Sequence, residues 1–173
     1  MNKLKNETNF RSKSDQTATF EEAIDRTDKA ILRLLQSDAS ISNVSLAAKV
    51  HLSPPACLRR VERLKKMGLI KSIVALLNAQ ALDAGMLVMI GVVLDRSTPD
   101  SFADFEKAAV KVSGCMECHT VTGEFDYFML IRTRNSDSFN KLHADQLLYL
   151  PGVRQIRSFM VLKQVLSTTQ LPI

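Results

Sequence analysis

The side chains of this 173-residue chain that could do chemistry by type and spacing are mostly cations. Arg59, Arg63 and Lys66 recur at i, i+4 and i+7, with Arg60 beside them, in the segment LSPPACLRRVERLKKMG. On a helix this spacing aligns the charges along one side. Cys57, Leu58, Val61 and Leu64 then form an apolar stripe on the other. Such a helix fits a DNA major groove, its first residues near the base edges and its cations on phosphates or guanine. A solvated helix of a three-helix bundle has the same pattern, so both readings stay open on these residues. A second constellation is CMECH, Cys115–His119. Its C-x-x-C-H spacing matches covalent haem attachment, a redox pair or half a zinc site. Those chemistries need export or a second ligand pair, and neither is evident, so an ordinary strand is the better reading. No nucleophile stands with a matching base, there is no phosphate-binding glycine loop, and His51, His119 and His143 fall in different elements. The expectation is a protein that is not an enzyme and holds no metal or cofactor.

The elements that must position the cations are legible upstream. Ile24, Ile31, Leu34 and Leu35 recur at helical spacing behind a capping Asp25. A second helix opens near Ser42 with Val44, Leu46, Ala47 and Val50, where small Ala47 permits close helix approach. After a turn at His51 and Leu52, Ser53 is an N-cap and Pro54 suits the first helical position. That third helix runs to Met67 and stops at Gly68. These are the proportions of a helix-turn-helix. Lys71–Leu77 reads as a strand. Beyond it the order is strand Met86–Leu94, a helix begun at Thr98, Pro99 and Asp100, strands Met116–Thr122 and Phe125–Thr133, helix Ser136–Tyr149, and strand Val153–Val165. This is the split βαββαβ arrangement.

Charge separates the same two regions. Residues 1–74 hold 14 basic and 8 acidic side chains, whereas residues 75–173 hold 9 and 10. The positive excess therefore lies with the helix-turn-helix, as a phosphate-binding module requires. The longest apolar run, Met86–Leu94, is far short of the roughly 18–20 residues that span a bilayer. The first twenty residues lack a secretory apolar core, and three cysteines suit reduced thiols, so a cytoplasmic protein without membrane attachment is expected. The run MLVMIGVVL does not alternate, which predicts a strand buried on both faces. Two helices cover one face of a four-stranded sheet, so a second copy is expected on the other.

Several segments resemble the Lrp/AsnC family of feast/famine regulators. They are IDRTD (Ile24–Asp28), ISNV (Ile41–Val44), LSPPACLRRV (Leu52–Val61), MGLI (Met67–Ile70), ALLN (Ala75–Asn78), ECH (Glu117–His119), GEFDY (Gly123–Tyr127) and LPGV (Leu150–Val153). The likeness spans about residues 24–168. It implies an α+β chain: a winged helix-turn-helix domain, then a βαββαβ ferredoxin-like (RAM-type) effector and oligomerisation domain. The expected boundaries are a basic tail at 1–22, the DNA-binding domain at 23–77, a linker at 78–85, the effector domain at 86–168 and a C-terminal tail at 169–173. Double-stranded DNA would meet Asn43, Ser45, Ser53, Pro54, Pro55, Ala56, Arg59, Arg60, Arg63 and Lys66. The resemblance further implies a homodimer assembling to a tetramer or octamer, and an amino-acid effector such as leucine or methionine. The matching effector positions are Gly123, Glu124, Phe125, Asp126 and Tyr127, with Leu148, Phe159, Met160 and Val161. Amides at Gly123 would take the ligand carboxylate and Asp126 its ammonium. Without the resemblance, GEFDY reads as a hairpin turn with a buried aromatic pair. The chain departs from the family pattern at His51, where Gly is usual, at Glu124, where Asp is common, and at Met160. The competing class is an amino-acid-binding or catalytic ferredoxin-like protein whose basic module serves assembly.

Overall fold

The computed structural model describes residues 24–95 and 100–173. The expected tail at 1–22 and the helix start at Thr98 and Pro99 lie outside them. The chain divides after Val74, and Thr168–Ile173 belongs with the first unit while Ala75–Ser167 forms the second. The division thus falls three residues before the expected boundary.

In the first unit, α1 (Arg26–Ser37) opens on a reciprocal capping box. The Asp28 amide donates to Asp25 Oδ1 at 2.8 Å and the Asp25 amide to Asp28 Oδ2 at 3.1 Å, which satisfies two amides that a helix start leaves orphaned. α2 (Asn43–Lys49) is capped by Ser42, and α3 (Pro54–Lys66) begins after Ser53 with proline in its first turn. His51 carries the turn at φ 55°, and Gly68 ends α3 at φ 75°. Ile31, Leu46, Ala47, Val50, Cys57 and Leu64 form the core. Two apolar residues expected inside are outside: Val44 is 65% exposed and Leu58 47%. Leu58 lies about 100° around its helix from the core residue Cys57 and Val44 about 160° from Leu46, so the stripe is narrower than its composition suggests. Lys71–Leu77 is not a strand. Ile73, Val74, Leu76 and Leu77 are exposed, and no segment among the described residues supplies the ladder that β propensity needs. The last residues are not a free tail. The Leu171 amide donates to Gln36 Oε1 at 2.6 Å, and Arg33 Nε donates to the Ile173 carbonyl at 2.6 Å.

The second unit is the expected βαββαβ fold: β1 (Met86–Leu94), α4 (Ser101–Ala109), β2 (Cys115–Thr120), β3 (Tyr127–Thr133), α5 (Ser136–Asp145), a 3₁₀ turn (Leu147–Tyr149) and β4 (Val153–Met160). The antiparallel sheet has the order β2-β3-β1-β4. β4 ends at Met160, short of the expected Val165, and the final bond to β1 runs from the Val161 amide to the Leu87 carbonyl, 3.0 Å. α5 ends early where Gln146 turns its side chain to Ser113, accepting from its amide at 2.9 Å and donating to its hydroxyl at 3.1 Å. The expected linker folds with this unit: the Ala84 amide donates to the Ala79 carbonyl at 2.8 Å.

Val88, Ile90 and Val92, all fully buried, point to the helical side, joined by Phe105, Met129, Ile131 and Leu147. On the opposite face Leu87 and Val93 are buried but Met89 is 37% exposed, so the chain itself covers part of what a second copy was expected to cover. CMECH lies in and beside β2 as strand. Glu117 and His119 share a face and bond at 2.8 Å, whereas Cys118 pairs in register with core residue Met129. Burial pushes the Cys118 thiol up to about 11, which disfavours the thiolate that metal or redox chemistry uses. Among the described residues no helix is long and apolar enough to cross a membrane.

Tyr127 is 2% exposed, packs on Phe105 at 4.6 Å between ring centroids, and donates to Glu106 Oε1 at 2.7 Å. Burial first, then Glu106, raises its phenol to about 12. Because the folded value lies above the ordinary one of about 10, this group stabilises the fold fully below pH 10. That contribution is lost as pH rises through about 12. The Tyr127→Phe variant is expected to lose about 1–3 kcal/mol at pH 7 and to narrow its deficit across that alkaline window. Urea unfolding of both proteins from pH 7 to 11.5 checks this.

Candidate nucleic-acid interface and effector site

α3 presents its cations unequally. Arg60 donates to Asp25 Oδ2 at 2.6 Å and to Asp28 Oδ1 at 3.0 Å, and Arg63 donates to Asp28 Oδ2. The Asp28 side chain is fully buried. These arginines therefore tie the recognition helix to α1, which corrects the expectation of a single outward row of Arg59, Arg63 and Lys66. Asp28 lies 32 and 35 residues from its two partners, a distance that helix periodicity does not address. The Asp25 carboxyl is held below its usual range, chiefly by the Asp28 amide and then by Arg60. Arg59 and Lys66 remain exposed and form no ion pair among the described residues.

The turn itself is fixed by Asn43, whose Nδ2 donates to the Pro54 carbonyl at 2.8 Å. Ser45 bonds the capping Ser42 hydroxyl, 2.9 Å between oxygens. Both expected DNA residues thus also serve the local fold. Pro54 and Pro55 lack amide hydrogens, so α3 offers a phosphate little beyond the Ala56 amide in its first turn. Grip on a backbone must come from side chains. Ser53, Pro54 and Pro55 are exposed and Ala56 half-buried, as the leading edge of a groove-entering helix requires. Ala56 and Arg59 line one hollow of about 540 Å³ with Leu52 and the anchored pairs.

The effector candidates do not all meet at one place. Gly123 (φ 112°), Glu124 and Asp126 border a hollow of about 350 Å³ beside Val93 and Leu94. Asp126 is buried and accepts from the Leu94 amide at 2.9 Å, while its own amide donates to the Val92 carbonyl at 2.9 Å. Its first role is therefore to latch the loop to β1, which corrects the expectation of a carboxylate waiting for a ligand ammonium. Phe125 and Phe159 lie on the sheet face without helices, 6.3 Å apart. Tyr127 points to the helical core and Leu148 sits exposed on the 3₁₀ turn, so neither reaches the hollow. Phe159 and Met160, adjacent on β4, face opposite sides, and Val161 continues the edge of the ladder.

Sequence reasoning missed two residues that shape this loop. A Cβ on Gly91 would stand 2.7 Å from the Phe125 ring, so the glycine is the seat on which that ring lies. Arg157 pairs with Glu124 at 2.5 Å and stands over the Phe125 ring at 5.6 Å. An isolated glycine in an apolar strand was the available signal for the first. Alternation of Gln155, Ile156 and Arg157 was the signal for the second.

Comparison with known proteins agrees with this geometry. Residues 24–71 match the winged helix-turn-helix DNA-binding model, and residues 87–171 the Lrp/AsnC ligand binding domain. The chain is 43% identical over 150 residues to the leucine-responsive regulatory proteins of Klebsiella pneumoniae and Escherichia coli K12, covering 87% of this chain and 92% of each relative. It superposes with a TM-score of 0.82 on a transcriptional regulator of Neisseria meningitidis in complex with L-methionine, at 34% identity, covering 86% of this chain and 96% of that one. An AsnC family transcriptional regulator from Agrobacterium tumefaciens gives the same TM-score at 25% identity, over 86% and 97%. A basic helix-turn-helix joined to a ligand-binding βαββαβ domain defines a sequence-specific DNA-binding transcription regulator. The chain belongs to the Lrp/AsnC family of such regulators. The family consists of regulators rather than enzymes, which removes the catalytic alternative.

Replacing Asp28 by Ala removes one arm of the capping box and the bonds that Arg60 and Arg63 make to it, while Arg60 keeps Asp25. The expected loss is about 2–3 kcal/mol, below the roughly 3–5 kcal/mol for a fully buried pair. Urea unfolding measures it; a loss under about 0.5 kcal/mol would mean that the ion pairs do not hold α3.

Proposed function

We propose that this regulator senses a small amino acid, leucine or methionine, at the Gly123–Asp126 loop and changes its assembly or its hold on DNA in response. The observation that carries the reading is the hollow formed by that loop inside a domain of the Lrp/AsnC ligand-binding family. The L-methionine complex of the Neisseria relative supports the choice of effector. Carboxylates and a glycine backbone at the hollow suit a zwitterion, and the apolar wall of Val93 and Leu94 suits an aliphatic side chain. Glu124, Phe125 and Phe159 act around this loop; Tyr127, Leu148, Met160 and Val161 contribute through packing or through a neighbouring copy.

On the DNA side, Ser53–Ala56 lead α3 into the major groove and Arg59 and Lys66 supply the cations. Asn43 and Ser45 lie at the phosphate-facing start of α2. Arg60 and Arg63 hold the helix in place. The protein works in the cytoplasm as a homodimer that builds tetramers or octamers, with half-sites about one DNA turn apart. The dimer face is the sheet side lacking helices, where Met89, Phe125, Phe128 and Phe159 cluster. The exposed Ile73–Leu77 run is a second apolar surface that a partner copy would cover.

Binding to the upstream region of its own gene is expected to be specific at about 150 mM salt and to change with leucine or methionine. Fluorescence anisotropy without a specific complex there would sink the regulator reading for that site. Arg59→Ala and Lys66→Ala should each lower the slope of log affinity against log salt by about one, and Arg63→Ala should leave it unchanged. For assembly, Met89→Lys is expected to shift the dimer toward monomer in sedimentation velocity. An unchanged distribution would place the interface elsewhere.

A further inference from the structure

The register of β1 and β4 breaks at one point. Val93 pairs with Gln155 but Leu94 pairs with Val153, which leaves Arg154 as an extra, unpaired residue on β4. A bulge of this kind turns one side chain away from the ladder, and bulges are enriched beside binding sites for that reason. Pairing resumes past it, with the Asp95 amide donating to the Gly152 carbonyl at 2.7 Å. The bulge therefore re-aims a single residue without ending the strand pair. Its side chain lines the 350 Å³ hollow together with Gly123, Glu124, Asp126 and Asp95. Among the described residues nothing forms an ion pair or hydrogen bond with the Arg154 guanidinium. Across the hollow, Glu124 pairs with Arg157 and Asp126 accepts from the Leu94 amide.

We infer that Arg154 is the anchor for the α-carboxylate of the effector, an assignment that rests on the amino-acid reading of this site. The chemistry of the lining selects this ligand class. A lone guanidinium favours a carboxylate through paired, charge-assisted bonds. On the acidic side Glu124 can accept from an ammonium beyond its pair with Arg157, and Asp95 and Asp126 add negative charge at the same hollow. The two sets of opposite sign border one hollow of a size suited to a small molecule, about 300 Å³ or more. A simple carboxylic acid would leave the acidic side unanswered, and a simple amine would leave Arg154 unanswered. An α-amino acid answers both. Gly123, open on its Cβ side and at φ 112°, keeps the approach clear of a side chain.

Isothermal titration of the full-length protein tests this with L-leucine, L-methionine and the matching amino alcohols, leucinol and methioninol, which lack the carboxylate. Wild-type protein is expected to bind the amino acid at least tenfold more tightly than its alcohol. Arg154→Gln should weaken the amino acid by tenfold or more and bind acid and alcohol alike, and Arg154→Lys should recover part of the preference. DNA affinity and the urea midpoint should stay at wild-type values, because Arg154 is exposed and unpaired. If Arg154→Gln retains wild-type affinity and preference, the carboxylate is held elsewhere and the anchor assignment fails while the effector reading stands. If wild-type protein binds neither amino acid, the effector reading fails and takes the anchor with it.

Discussion

Asp28 sits fully buried at the start of α1, its carboxylate shared between the Asp25 amide and the guanidiniums of Arg60 and Arg63 on α3. A buried carboxylate is costly unless its lone pairs are met by charge-assisted donors, so the two arginines are committed to it. The orientation of the recognition helix follows from that commitment. Cys57 and Leu64 already bury one side of α3, and the ion pairs fix its rotation about that contact. The stripe through Pro55, Arg59 and Lys66 and the Ser53–Ala56 edge, which the proposed reading gives to DNA, stay clear of these pairs. The arginine count of α3 therefore overstates its phosphate contacts: half of the Arg59, Arg60, Arg63 and Lys66 set is structural.

The second unit obeys a parallel constraint. β1 carries apolar residues on both faces, and α4 and α5 can cover only one. The chain meets part of the deficit by omitting a side chain at Gly91 and laying the Phe125 ring there, steadied by Arg157 and Phe128. Four contacts then hold the 121–126 loop against the sheet: Asp126 on the Leu94 amide and on the Val92 carbonyl, Glu124 on Arg157, and Phe125 on Gly91. A loop held this way presents a preformed hollow, which limits the ordering cost of binding a small ligand.

What the sequence made legible is what depends on near neighbours. The Asp25 cap, the helix opening near Ser42, the Ser53–Pro54 start, the turn at His51 and the stop at Gly68 are all decided within four residues, and each was readable. So was the βαββαβ order, because alternation and helical period mark its pieces. The failures share a different cause. Arg60 and Arg63 find their partner on another helix, and Tyr127 turns inward because Glu106 and Phe105 wait there. Lys71–Leu77 has strand composition but pairs with nothing among the described residues. The GEFDY motif was readable as a site only through resemblance. Periodicity could not reveal that two of its residues serve the core and the latch before any ligand arrives. Arg154 was hidden for the same reason, since a bulge is a property of two strands in register.

With the effector at the proposed hollow and the dimer on the proposed face, the placement of Phe125 would connect ligand binding to assembly. Its ring lies on the helix-free sheet face, next to Phe128 and Phe159, and belongs to the loop that borders the hollow. Glu124, its chain neighbour, is held by Arg157, which also stands over the ring. A ligand ammonium that draws on Glu124 competes with Arg157, and any shift of that guanidinium is felt at Phe125 through the cation–π contact. The apolar surface offered to a second copy then differs between free and bound states. Linkage makes this reciprocal: if the effector changes the affinity of copies for one another by some factor, assembly changes the affinity for effector by the same factor. The coupling needs no long pathway, because the loop that makes the hollow is also part of the face that would be shared.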